Sequence, residues 1–192
     1  MTVPTNEHNR RYERAVALLE FATRLTPPVQ LSILQKWNVW RGLRQLDRVI
    51  ELKPDNWAAL WIRGKALQVA GRSRESLDAF ARSHAINPTH PDIAREASIS
   101  AMDAGQPDVA IRYTEKVAEL RPEDAGLKAN LALALLLSNW PVEAKRQISR
   151  AVEMDPADRI SRSIEKAIDA VIAGFHPCPK NMTELYAILR RV

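Results

Sequence analysis

The sequence predicts an all-α fold, a superhelical solenoid of antiparallel helix–turn–helix hairpins. Three observations predict it. Pro54, Pro88, Pro122 and Pro156 recur every 34 residues in matching surroundings, ELKPDN, AINPTH, ELRPED and EMDPAD. Turn-forming residues keep the same period, at Gly71, Gly105 and then Asn139. Small residues keep it twice over, at Gly64, Ser98 and Ala132 and again at Ser76, Ala110 and Ala144. Such a period marks units that cannot bury their own apolar face and stack on their neighbours instead.

The elements follow in order. Residues 7–25 carry Tyr12, Ala15, Val16, Leu19 and Ala22 at helical spacing, which predicts an amphipathic helix. Pro27 and Pro28 end it by removing backbone donors. A short helix is expected from Pro28 and a longer one over Asn38 to Leu52. Gly42, Leu46, Val49 and Pro54 share the register of the later repeats. Residues 23–56 therefore read as a degenerate repeat, and 1–56 as that repeat preceded by an added helix.

Residues 57–90 form the clearest repeat. Trp57, Leu60, Trp61, Gly64 and Leu67 lie on one helical face. Gly71 stops that helix, because a residue at positive φ commonly closes a helix. Leu77, Phe80, Ala81 and His84 line the second helix, and Asn87-Pro88 ends it. Small residues fall where the two helices cross. Residues 91–124 and 125–158 repeat the plan. Residues 159–173 repeat the first-helix pattern and are expected to cap the last repeat. His176-Pro177-Cys178-Pro179 reads as a rigid loop. Asn181 with Glu184 reads as a helix cap, although Asn181-Met182-Thr183 also matches a glycosylation sequon. A last helix is expected over 182–191. The whole chain, 1–192, reads as a single domain.

Composition narrows the function. At 192 residues the chain can bury a core unaided. Its lone cysteine, Cys178, excludes a disulfide framework and any zinc site needing two cysteines. Six glycines and no Gly-rich phosphate motif argue against nucleotide binding. The longest apolar run, Leu131 to Leu137, is far shorter than the ~20 residues of a membrane span. A soluble, cytoplasmic chain is expected, without cofactor or metal. Lys and Arg number 28 against 23 Asp and Glu, with 4 against 8 in residues 91–124. No basic run exceeds two residues, so no nucleic-acid groove is expected.

The period, closing prolines, turn residues and small pairs together resemble the tetratricopeptide repeat family, a 34-residue helical hairpin. The resemblance covers 57–90, 91–124 and 125–158. The family's second-helix aromatic is kept as Phe80 and replaced by Thr114 and Ile148. The resemblance implies that first helices line a concave groove which holds a peptide or helix of a partner protein. Its wall would include Trp61, Lys65 and Gln68, then Arg95, Ile99 and Met102, then Ala129, Asn130, Leu133, Leu136 and Leu137. The family's carboxylate-gripping Lys and Asn are replaced by Trp61 and Lys65, and a later Lys by Gly126, so that ligand type is not expected.

The function expected is a non-catalytic interaction module, or alternatively a dedicated chaperone or immunity-type partner of one secreted protein. Self-association is left open. His8, His84, His90, His176 and Cys178 form no catalytic set by spacing. Glu115, Glu119, Glu123 and Asp124 read as a solvated acidic face. The helix at Leu131–Leu137 either meets the chain's own C-terminal helix or faces a partner. Trp37, Trp40 and Trp140 are split between core packing and interface anchoring.

Overall fold

The computed structural model describes residues 4–25 and 29–191, with the side chains of residues 4–6 and of Glu119 outside that set. Among the described residues there are ten helices and no strand. In order they are α1 (Pro4–Arg24), α2 (Ile33–Leu52), α3 (Trp57–Val69), α4 (Ser73–Ile86), α5 (Pro91–Asp103), α6 (Pro107–Leu120), α7 (Ala125–Leu137), α8 (Pro141–Met154), α9 (Arg159–Ile172) and α10 (Met182–Leu189). The chain divides into an N-terminal compact unit, Met1–Glu96, and a C-terminal one, Ala97–Val192.

In the N-terminal unit, α1 and α2 pack directly on each other. Gly42 permits it, since a Cβ there would stand 2.5 Å from Leu19. The helix expected as an addition is thus the partner of α2 within one hairpin. Arg11 Nη1 donates to Gln45 Oε1 across that pair at 3.1 Å. The α2 helix starts at Ile33, earlier than the expected Asn38, because Ser32 and Gln35 form a capping box. Gln35 N donates to Ser32 Oγ at 3.2 Å, and Ser32 N to Gln35 Oε1 at 2.9 Å. These bonds satisfy donors that every helix start leaves open. Pro28 lies outside the described residues, and 29–32 are not helical.

The α3–α4 hairpin obeys the sequence closely. Asn56 caps α3 by accepting from Ala59 N at 3.0 Å. Gly71 has φ +73°, the left-handed turn that glycine tolerates. Ser76 Oγ donates to Gly64 O at 2.9 Å, and Ser83 Oγ to Trp57 O at 2.8 Å. Each small polar residue thus pays for its burial with a bond to the opposite helix. Leu19, Leu46, Leu60 and Leu67 form the centre of this core.

The C-terminal unit repeats the design with different chemistry. Gly105 has φ +72° and Asn139 φ +63°, so all three turn positions in the 34-residue register are left-handed. The hydroxyls of Ser98 on α5 and Thr114 on α6 lie 2.7 Å apart, and Thr114 also donates to Ala110 O at 2.9 Å. Asp124 caps α7, Asp158 caps α9 and Asn181 caps α10, each through its side-chain oxygen. At the last cap Glu184 accepts from Lys180 N at 2.8 Å, one residue earlier than a reciprocal box requires.

Helix α9 packs on α8 and α7, with Ile164, Ala167 and Ile168 buried. Lys145 on α8 bridges Glu165 at 3.1 Å and Asp169 at 2.7 Å on α9. Ser149 Oγ adds a bond to Glu165 at 3.0 Å. Beyond α9 the chain turns at Gly174 and its Cys178 Sγ donates to Leu136 O at 3.0 Å. Leu185 and Ile188 of α10 are buried. No helix among the described residues is long and apolar enough to cross a membrane.

Candidate partner-binding site

The first helices of the hairpins carry every wall residue expected from the sequence. In the N-terminal unit these are Trp61, Lys65 and Gln68 on α3 and Arg95 on the start of α5. Trp61 is half-buried, its ring packed against the core cluster. Its indole Nε1 is enclosed and has no hydrogen-bond partner. One turn further on, Lys65 is only 4% exposed. Its ammonium pairs with Glu96 at 3.1 Å and donates to Gln68 Oε1 at 3.1 Å. The charge of Lys65 is therefore spent inside the unit. Arg95 is half-buried.

In the C-terminal unit, Ile99, Asn130 and Leu133 are half-buried, whereas Ala129, Met102, Leu136 and Leu137 are buried. The C-terminal segment accounts for part of this, since Cys178 sits on the Leu136 carbonyl. Helix α7 is thus met by its own chain at Leu136 and by α9. Asp103, at the end of α5, is a feature that spacing alone gave no signal for. Burial pushes its carboxyl up to about 6, because a charge is poorly solvated there. The Tyr186 phenol of α10 is raised too, first by burial and then by the nearby Asp103.

The other candidates are dispersed. The His90 ring packs against Trp57 at a tilt of 43°, with ring centres 5.2 Å apart. His84 is buried in the second-helix face of its hairpin. Burial raises the Cys178 thiol, opposite to the shift that activates a nucleophile. Among the described residues, no group of three or more His, Cys, Asp or Glu is gathered as metal ligands. Glu115 and Glu123 are exposed, and the side chain of Glu119 lies outside the described ones. A cleft on the N-terminal unit is lined by Asp47, Glu51, Glu75 and Asp78 with Arg63 and Arg82. Much of its charge is paired internally, as in Arg63 Nε to Asp47 at 3.0 Å.

Trp37, Trp40 and Trp140 are all exposed rather than in the core. Arg41 lies over the Trp37 ring at 4.4 Å and Arg44 over the Trp40 ring at 5.0 Å.

Comparison with known proteins places this architecture. MamA from Desulfovibrio magneticus RS-1, from residue 41 to its end, is 17% identical, with 93% of this chain and 97% of that chain covered and a TM-score of 0.68. YrrB, described as a TPR protein with an unusual peptide-binding site, is 18% identical over 98% of this chain and 91% of that one, with a TM-score of 0.64. The first TPR of Spaghetti (RPAP3), bound to the HSP90 peptide SRMEEVD, is 16% identical over 61% of this chain and 93% of that one, with a TM-score of 0.57. No curated protein matches the sequence. Tetratricopeptide repeat models match residues 41–91 and 101–166, and the chain belongs to the tetratricopeptide repeat family.

Proposed function

We propose that the chain is a non-catalytic protein-interaction module. It holds an extended or helical segment of another protein against its first helices. The observation that carries this reading is the enclosed, unpaired indole N–H of Trp61. Such a donor costs about 1–3 kcal/mol when left unsatisfied. An arriving segment that covers the half-buried ring and shifts it would bring a backbone carbonyl or polar side chain within reach of this enclosed donor. Tryptophan suits this work, combining a large apolar face with one directional donor. In the N-terminal unit Trp61 on α3 is the anchor, and Arg95 on α5 belongs to the same expected wall. In the C-terminal unit Ile99, Asn130 and Leu133 offer an apolar face with one amide.

The relatives support the general mode, since YrrB is described as binding peptide and RPAP3 as bound to one. The internal pairing of Lys65 with Glu96 disfavours a ligand recognised mainly by a terminal carboxylate. The test is site-specific photo-crosslinking in the native host. A photoreactive side chain at position 61 or 133 should capture one defined protein, and at exposed Lys116 none. Capture at 116 but not at 61 or 133 would overturn the reading.

A further inference from the structure

The outward face of α2 carries side chains that the partner-binding reading leaves unused. From its N-terminal end they run Ile33, Leu34, Trp37, Trp40, Arg41 and Arg44. Ile33 is 88% exposed, Leu34 65%, Trp37 52% and Trp40 53%. The opposite face of the same helix is buried through Val39, Gly42, Leu43, Leu46, Val49 and Ile50. The exposed apolar groups are therefore not spare core residues. Folding exposes four large apolar side chains along one short ridge, and scattered exposure would not need that.

Charge narrows what covers the ridge. Between Ile33 and Leu46 there are Lys36, Arg41 and Arg44 and no Asp or Glu. Arg48, one turn on, is already paired with Glu51 at 2.9 Å. The wider stretch 1–46 carries seven Lys and Arg against three Glu. The occupant is therefore anionic as well as apolar. Arg41 and Arg44 lie over the two indoles at 4.4 and 5.0 Å and are exposed, so their guanidinium groups can grip phosphate or carboxylate in pairs.

The order of the side chains decides between occupants. Aliphatic residues come first, then the tryptophans, then the guanidinium groups, over about 16 Å of helix axis. A bilayer surface has the same sequence of layers, hydrocarbon, then the interfacial zone that tryptophan prefers, then phosphate. We infer that the N-terminal end of α2 docks on an anionic membrane surface, with Ile33 and Leu34 entering the acyl boundary, Trp37 and Trp40 lying at the headgroup level and Arg41 and Arg44 binding lipid phosphates. No helix among the described residues is long and apolar enough to cross the bilayer, and the contact is peripheral, made by the exposed face of one helix. It is also separate from Trp61, whose partner would be presented at the membrane.

Flotation with vesicles tests this on the full chain. Phosphatidylcholine vesicles containing about a third phosphatidylserine should carry the protein, and pure phosphatidylcholine vesicles should not. Binding should fall as salt rises, because surface potential is screened. Arg41→Glu with Arg44→Glu should weaken binding about tenfold or more. Trp37→Ala with Trp40→Ala should weaken it too, and should abolish quenching of tryptophan emission by lipids brominated near the headgroup. Both variants change exposed residues, so helicity and unfolding midpoint should stay as in the parent. Equal binding to both vesicle types, or unchanged binding by both variants, overturns the inference. So does a parent that fails to bind vesicles but is a dimer that the tryptophan variant dissociates. That face would then join two copies of the chain.

Discussion

Phe80 lies on Gly64 so closely that a Cβ at position 64 would stand 2.6 Å from its ring. The same two register positions hold Ser98 with Thr114, joined by their hydroxyls, and Ala132 with Ile148, both fully buried. The largest second-helix residue meets the smallest first-helix residue. Hairpins that share one backbone plan thus solve their crossings with different pairs.

Gly64→Val should therefore destabilise the protein by roughly 1–3 kcal/mol through overpacking. Phe80→Ala alone should cost about 3–5 kcal/mol. The double variant should cost clearly less than the sum, because removing the ring makes room for the new methyls. Urea unfolding of the four proteins measures this, and strict additivity would mean the two residues do not share the crossing.

Ala110→Leu tests the next hairpin. Ala110 is fully buried and its carbonyl accepts from Thr114. A loss of roughly 1–3 kcal/mol in unfolding free energy is expected, seen as a lower denaturation midpoint of the variant. No measurable change would mean that α6 does not cross its partner at this residue.

Asp103 predicts a pH dependence. Its carboxyl titrates at about 6 in the folded protein, above its ordinary 3.8. The native state then holds the proton more tightly than the unfolded chain between about pH 4 and 6. Stability from this group consequently falls as pH rises through that window. Asp103→Asn should stabilise the protein at pH 7 by on the order of 2 kcal/mol and leave it nearly unchanged at pH 4. Thermal unfolding at the two values checks this, and an equal effect at both would remove the buried carboxylate as its cause.

Removing residues 174–192 should expose apolar surface that Leu185 and Ile188 now help to bury. The shortened chain should bind a hydrophobic dye and lose solubility. A soluble, dye-silent and cooperatively unfolding product would show that the segment does not cover the C-terminal unit.

Much of this fold was legible because repetition multiplies a weak signal. One proline or glycine says little, whereas Gly71, Gly105 and Asn139 in register specify three left-handed turns. The start of α2 was not legible in the same way, because the capping pair Ser32 and Gln35 that sets it lies outside the repeat register. The site was legible only by position. The period puts Trp61 and Lys65 on the same helix face, but not the burial of Lys65, which depends on Glu96 from another helix. Asp103 left no pattern at all, since its shift arises from burial at the end of α5.

The affinity of the captured partner segment for Trp61 variants tests the central claim most directly. Titration calorimetry should give a loss of about thirtyfold or more for Trp61→Ala, the scale of a true anchor. Trp61→Phe keeps an aromatic face and removes the N–H, so it should fall between the parent and the alanine variant. Glu115→Lys, on the exposed side of α6, should bind like the parent. Parent-like affinity in both Trp61 variants, with loss in Glu115→Lys, would contradict the account and move the site to the second helices.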